Sequence, residues 1–264
     1  MEGQSRGVYL FIEEPEESLL RNTGRLRSLV RRSVDSNGKP PEIKYALNDD
    51  VEKAEADYNA LIASASERAG QARLNDLRDR MDLDPYLRWV ALMSLLHNGD
   101  YVDEIFFYAT ESTDAQGRVV DYFKVVTWDP DDLFSVCHHN SKFAITDPHE
   151  LLFCTEALID HAMFADPVVY EAYVNTLDEV LAQVTPETFG ATLDATASRI
   201  IDALRVDAVR LAMVELIEDN PEAVDFEVAR ADILAAANAL KATFKTRWAL
   251  LKQGISDFRA EEGK

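Results

Sequence analysis

Between Asp84 and Asn98 apolar residues recur at helical spacing, and two β-type runs follow, Ile105–Ala109 and Tyr122–Trp128, with turn residues Asp114–Gly117 between them. This order, a helix running almost directly into a hairpin, constrains the fold more than any other feature. Asp84 serves as a cap with Pro85 in the first turn, and Leu87, Val90, Ala91, Ser94 and Leu95 form a stripe that Leu92, Met93 and Leu96 widen. The helix is therefore expected to be mostly buried and to stop at Asn98-Gly99. From Glu150 onward the pattern is helical throughout: Glu150–Phe164, Pro167–Val184, Pro186–Arg205 and Phe226–Ile255, punctuated by Asp166-Pro167, Thr185-Pro186 and Asn220-Pro221. The reading is an α+β chain with a small β-containing front and a predominantly helical C-terminal half.

Upstream of the buried helix the signals are shorter. Gly7–Ile12 reads as a strand that Glu13, Glu14 and Pro15 end. The spacing predicts a helix over Ser18–Val34, carrying Arg21, Arg25, Arg27, Arg31 and Arg32 with no acid among them. Ser36, Asn37, Gly38, Pro40 and Pro41 form a loop. Asp49–Asp79 reads as helix with a break near Gly70, and Ser135–Pro148 as irregular. Residues 1–45, 46–149 and 150–264 are taken as three parts of one unit.

Composition excludes several classes. Of 264 residues, 47% are hydrophobic and 28% charged, which rules out a mainly disordered chain. No apolar stretch reaches the roughly 18–20 residues that a membrane-spanning helix needs, so no membrane insertion is expected. Forty-eight acids against 27 Lys and Arg leave a net charge of −21, which repels phosphate backbones and anionic lipid. Nucleic acid is accordingly not an expected partner. No signal peptide is visible, but the chain opens almost directly in a strand pattern; we expect a missing N-terminal part and leave localisation unknown.

The chemistry lies at the ends of the hairpin. Asp100 stands just before it, and Asp129 and Asp131 directly after it. A hairpin brings its two ends together, so these carboxylates converge at a cost in mutual repulsion that a divalent cation removes. Mg²⁺, hard and oxygen-ligated, is the natural choice. Helix, Asp, hairpin, Asp is also the order of parts in the C-terminal lobe of protein kinases. The plainer alternative is that Asp100 and Asp129 are turn residues.

The chain resembles the CotH kinase family from about Gly7 to about Ile255. Gly7-Val-Tyr-Leu-Phe-Ile-Glu13 is similar to the family's G-x-Y-x-x-x-E strand, with Glu16 and Leu19-Leu20 at its following acidic and apolar positions. Trp89–Asp100 resembles its W…N-x-D segment and Ile105–Tyr108 its L-Y strand. Trp128-Asp129-Pro130-Asp131-Asp132-Leu133-Phe134 resembles W-D-x-D-x-x-F, the most specific match; Asp166-Pro167 with Tyr173, and Ala239-Leu240-Lys241 with Arg247, fit the helical tail. The resemblance implies an atypical protein-kinase-like fold and transfer of phosphate from ATP to protein serine or threonine hydroxyls with Mg²⁺ or Mn²⁺. It implies that Asp100 orients the acceptor hydroxyl, that Asp129 and Asp131 hold metal, and that Glu13 lies near the nucleotide. Three departures stand against it. Asp103-Glu104 occupies the place of the family's Asn, the Leu-Tyr-Lys element is legible only as Leu26-Arg27 or Leu29-Val30-Arg31, and no glycine-rich phosphate loop is present. An inactive pseudokinase-like coat or surface assembly protein is therefore the alternative, with a metal-dependent phosphohydrolase behind it.

Other groups have two readings each. The arginines of 21–32 form either a phosphate or acidic-substrate contact or a solvated helix face pairing with nearby acids. Cys137, His138, His139, His149 and Cys154 lack zinc spacing, and two cysteines make no disulfide framework, so a loop with a buried cysteine is expected. His97 either steadies the loop of Asp100 or simply ends the helix. Trp128 and Phe134 are expected in the core. No G-x-S-x-G or G-x-G-x-x-G is present.

Overall fold

A computed structural model describes residues 15–23, 25–32, 40–100, 102–113, 117–138, 147–155, 157–207, 209–210 and 225–263. The expected strand Gly7–Ile12 and the candidate residue Glu13 lie outside them.

The arginine-rich segment departs from the expected helix. Helix α1 spans only Pro15–Asn22, and Leu26–Arg31 is strand β1. As one helix, Arg21 and Arg25, and Arg27 and Arg31, would stack like charges at i,i+4. As the structure has them, Arg21 pairs with Glu17 one turn back in α1, Arg25 and Arg27 reach Glu111, Arg27 also holds Asp121, and Arg31 binds Asp103. The expected pairing with nearby acids is thus present, but on a short helix and a strand rather than on one helix face.

Strand β1 sits inside an antiparallel sheet with β2 (Glu42–Ala46), β3 (Ile105–Thr113) and β4 (Val119–Thr127), in the order β2-β1-β3-β4. The hairpin predicted from the two β-type runs is present, with both strands longer at the turn end than those runs. Ile105, Phe106 and Phe107 are all buried, so this end of β3 is covered on both faces, whereas its Thr113 end frays into exposed positions. Helices α2 (Val51–Glu67), α3 (Gln71–Arg80) and α4 (Leu83–Leu96) follow β2. The break near Gly70 falls where α2 ends and α3 begins. Tyr58 of α2 meets Phe107 edge-on at 5.4 Å, and Tyr86 of α4 meets the same ring at 5.7 Å. The anchoring of Phe107 from two helices fixes the sheet against the buried helix that leads to Asp100.

Helix α4 begins two residues earlier than expected, after Asp82; Asp84 lies in its first turn and binds Arg78 at 3.1 Å. The helix expected over Glu150–Phe164 is reduced to α5, Leu158–Phe164. Glu150 and Cys154 have φ of 53° and 52°, which no α-helix accommodates. Instead the Asp147 carboxylate accepts the backbone N–H of His149 and Leu152 at 3.0 and 2.7 Å, and Leu151 is buried. Helix α6 (Pro167–Gln183) follows, its start held by Asp166, whose carboxylate accepts the N–H of Val168.

The chain divides into two compact units, one of residues 13–182 with 249–264 and the other of 1–12 with 183–248. The first holds the sheet and α1–α6. In the second, α7 (Pro186–Leu204) starts at a reciprocal Thr185–Thr188 cap, and its Phe189 stacks on Phe244 of the long helix α8 (Phe226–Glu262) at 4.1 Å. Residues 249–262 of α8 belong to the first unit, where Lys252 and Arg259 bind Asp178 at 2.7 and 2.9 Å. Among the described residues no helix is long and apolar enough to cross a membrane.

Candidate active site

Helix α4 ends at His97 in the left-handed conformation (φ 53°). The next residue, Asn98, is fully buried and fixes the loop twice. Its Oδ1 accepts the N–H of Asp100 at 2.9 Å, and its Nδ2 donates to Glu104 at 2.5 Å. The loop before the hairpin is thereby folded over one asparagine.

The segment after β4 docks along this loop through backbone hydrogen bonds. Phe134 N–H donates to Leu96 O at 2.9 Å, Ser135 N–H to His97 O at 3.2 Å, Gly99 N–H to Asp132 O at 3.1 Å, and His138 N–H to Gly99 O at 2.8 Å. The approach requires glycine at 99, because a Cβ there would run into the Val136 carbonyl and the Ser135 hydroxyl. A Cys137–Cys154 disulfide ties the second loop to the segment beyond residue 147. The expected loop with a buried cysteine is thus corrected: the two cysteines are half-buried and bonded to one another. Of the two readings of His97, the helix end is the one seen: it terminates α4. Its ring stacks on Phe153 at 3.5 Å with Nδ1 3.1 Å from Ser135 O, contacts with the second loop rather than with the loop of Asp100.

Two docked loops bring five chemical groups together. Ligand atoms of Asp100, Asp132 and His138 lie within 4.8 Å of one another, as do those of Glu104, Asp131 and Asp132; Asp132 is common to both sets. Of the residues singled out in the sequence, Asp100 and Asp131 are therefore on the shared rim. Asp129 is exposed at φ 46°, its carbonyl accepting the Asp131 N–H at 2.8 Å across Pro130, and it stands in neither set. Asp132, Glu104 and His138 were not selected from the sequence. Glu104 was visible only as a departure from an Asn, and Asp132 as one acid more in Asp129–Asp132. Trp128 meets Phe106 edge-on at 6.1 Å, as a half-buried packing group.

The electrostatics follow from this crowding. Burial pushes the Glu104 carboxyl up to about 7, with the charges of Asp100, Asp131 and Asp132 adding to the shift and the Asn98 hydrogen bond opposing it. Such a cluster of hard oxygen donors, one of them buried, fits a divalent cation of the Mg²⁺ or Mn²⁺ type. A cavity of about 590 Å³, lined by Leu20, Arg25, Arg27, Tyr45, Leu47 and Glu111 among others, opens at the opposite end of β1, so the acidic rim does not share it.

Comparison with curated proteins and with solved structures returned no match. Comparison with family models matched residues 1–250 to the family described as CotH kinase protein. That match covers both docked loops, the hairpin between them and most of the helical tail, and on it the chain belongs to the CotH kinase family.

Proposed function

We propose that this chain is an atypical protein kinase with a kinase-like arrangement of its parts, which transfers the γ-phosphate of ATP to serine or threonine hydroxyls of a protein. The observation that carries the reading is the convergence of Asp100, Glu104, Asp131 and Asp132 from the two ends of one hairpin, in a member of a kinase family. Glu104, Asp131 and Asp132 would hold the divalent cation, with Asp129 on the exposed side of the same turn. When bound, that ion supplies neutralisation of the phosphate charges. Asp100, half-buried and oriented by the Asn98 cap, accepts the proton of the acceptor hydroxyl. The hydroxyl oxygen then bonds to the γ-phosphorus as the bond to the ADP oxygen breaks. The protein contributes positioning and charge complementarity rather than covalent chemistry. Glu13 is assigned to the nucleotide by resemblance.

The test is transfer of labelled phosphate from ATP, to the chain itself and to added protein acceptors, with Mg²⁺ or Mn²⁺. Asp132→Ala and Asp129→Ala are compared with wild type; signal equal in all three would remove both carboxylates from the mechanism. One observation favours an inactive, scaffold-like relative instead. Asp103, at the place where the family carries Asn, has its carboxylate bound to Arg31 at 3.2 Å. A thermal shift with ATP and cation but no transfer would support that second reading.

A further inference from the structure

The end of β1 grips the backbone of the acidic loop from behind. Arg32 N–H donates to Ile105 O at 3.2 Å, Arg31 Nε to Asp103 O at 3.1 Å, and Arg32 Nε to Val102 O. Two consecutive residues thus hold two carbonyls of the stretch that joins Asp100 to Glu104, and that of Ile105 just beyond it. Arg31 adds a second bond, Nη2 to the Asp103 carboxylate at 3.2 Å. Arg32 is anchored in turn. Its side chain is wholly buried, lies over the Trp89 ring at 5.3 Å, and donates to Tyr86 Oη at 2.7 Å and to the buried Asp160 at 3.3 Å, while Tyr86 also donates to Asp160.

A buried ion pair is a poor device for stability alone, since apolar residues of similar volume often do as well. What apolar residues lack is direction. The guanidinium fork addresses a loop carbonyl, a phenol on α4 and a carboxylate on α5 at once. The loop it holds has reason to be restrained, because Asp100 and Glu104 face Asp131 and Asp132 and like charges drive the two loops apart. We propose that Arg32, with Arg31, is a positioning residue that keeps Asp100 and Glu104 on the rim. The inference rests on the phosphotransfer reading for its purpose and on the hydrogen bonds for its geometry.

The experiment compares wild type with Arg32→Met/Asp160→Leu, which removes both buried charges together, and with Arg31→Gln, at a half-exposed position. Arg25→Gln, whose partner Glu111 lies at the far end of β3, is the control. Amide exchange at Asp100, Val102, Asp103 and Glu104 is measured without cation, and Mn²⁺ affinity by the electron paramagnetic resonance signal of the bound ion, well below the unfolding temperature. The double variant is expected to speed exchange at these amides about tenfold, the loss of one charge-assisted bond. Mn²⁺ affinity falls about tenfold, as for loss of a group that orients a ligand. Arg31→Gln moves both readouts in the same direction by less, and Arg25→Gln moves neither. A purely structural role would lower the melting temperature and leave loop exchange and Mn²⁺ affinity of the folded protein unchanged; that result, in either variant, overturns the proposal. A wild-type chain that takes up no Mn²⁺ overturns the phosphotransfer reading, and unchanged loop exchange overturns the clamp whatever the wild type binds.

Discussion

Substitution Gly99→Ala tests the docking of the two loops most directly. A Cβ at this position overlaps the Val136 carbonyl and the Ser135 hydroxyl, and a carbonyl of a docked backbone cannot swing aside as a side-chain end can. Either α4's end shifts or the loop of 132–138 lifts. Lifting breaks the bonds from Gly99 N–H to Asp132 O and from His138 N–H to Gly99 O, about 1 kcal/mol each. The alternative is a strained, overpacked contact worth about 1–3 kcal/mol. Together the two routes span about 1–3 kcal/mol. In a chain of this size that lowers the melting temperature by roughly 2–12 °C, read by calorimetry of the metal-free protein. The same lift carries Asp132 and His138 away from Asp100, so Mn²⁺ affinity must fall with it. Gly190→Ala in α7 is the control: a Cβ there meets only Lys241 Cδ at 3.9 Å, and the helix gains about 1 kcal/mol. A Gly99→Ala protein melting within about 1 °C of wild type, below the smallest shift the mechanism allows, with unaltered Mn²⁺ binding, would refute the reasoning.

Thiol titration of the unfolded, unreduced chain should find no free cysteine, and Cys137→Ser/Cys154→Ser should lose about 3 kcal/mol of stability, the value for a loop of this length. Glu104→Gln keeps an acceptor for Asn98 but removes a negative charge from among Asp100, Asp131 and Asp132. The metal-free variant should melt higher than wild type, and added Mn²⁺ should raise wild type more than the variant. Asp166 tests acid stability. Burial works against its charged form, but hydrogen bonds from the N–H of Gly70, Val169 and Val168, with Arg73 nearby, outweigh it and hold the carboxyl below its usual range. A depressed carboxyl contributes stability above its unfolded value, about 4, and loses it as pH falls through the folded one. Urea unfolding should find Asp166→Asn less stable than wild type at pH 7, with the gap closing below pH 4; a gap constant with pH would sink the assignment.

The long periodic elements were legible in the chain. Pro167–Gln183 and Pro186–Leu204 match their patterns to within a residue, because proline and a capping residue mark each start. Where local pattern failed, a distant partner had decided. Leu26–Arg31 reads as helix until Asp103, Glu111 and Asp121 are placed beside its arginines. Glu150–Ala157 reads as helix until Asp147 takes its amides and Cys137 bonds Cys154. The hairpin places Asp100 and Asp131 at one end of the sheet by chain order alone. Which of the three acids between 129 and 138 share a rim with the loop of 100–104 depends on a turn across Pro130 and on the fit of Gly99, and neither has a sequence period.

Period, punctuation and charge thus carried the architecture: a buried helix, a hairpin and a helical tail follow from local propensity and burial, which nearest neighbours along the chain specify. The makeup of the acidic rim came from elsewhere. Asp132, Glu104 and His138 join Asp100 and Asp131 only because two loops about thirty residues apart share a ladder of backbone hydrogen bonds, and because arginines from a strand some seventy residues upstream hold one of those loops in place. Backbone bonding of that kind leaves no mark on side-chain pattern, so it exists only once the chain is folded.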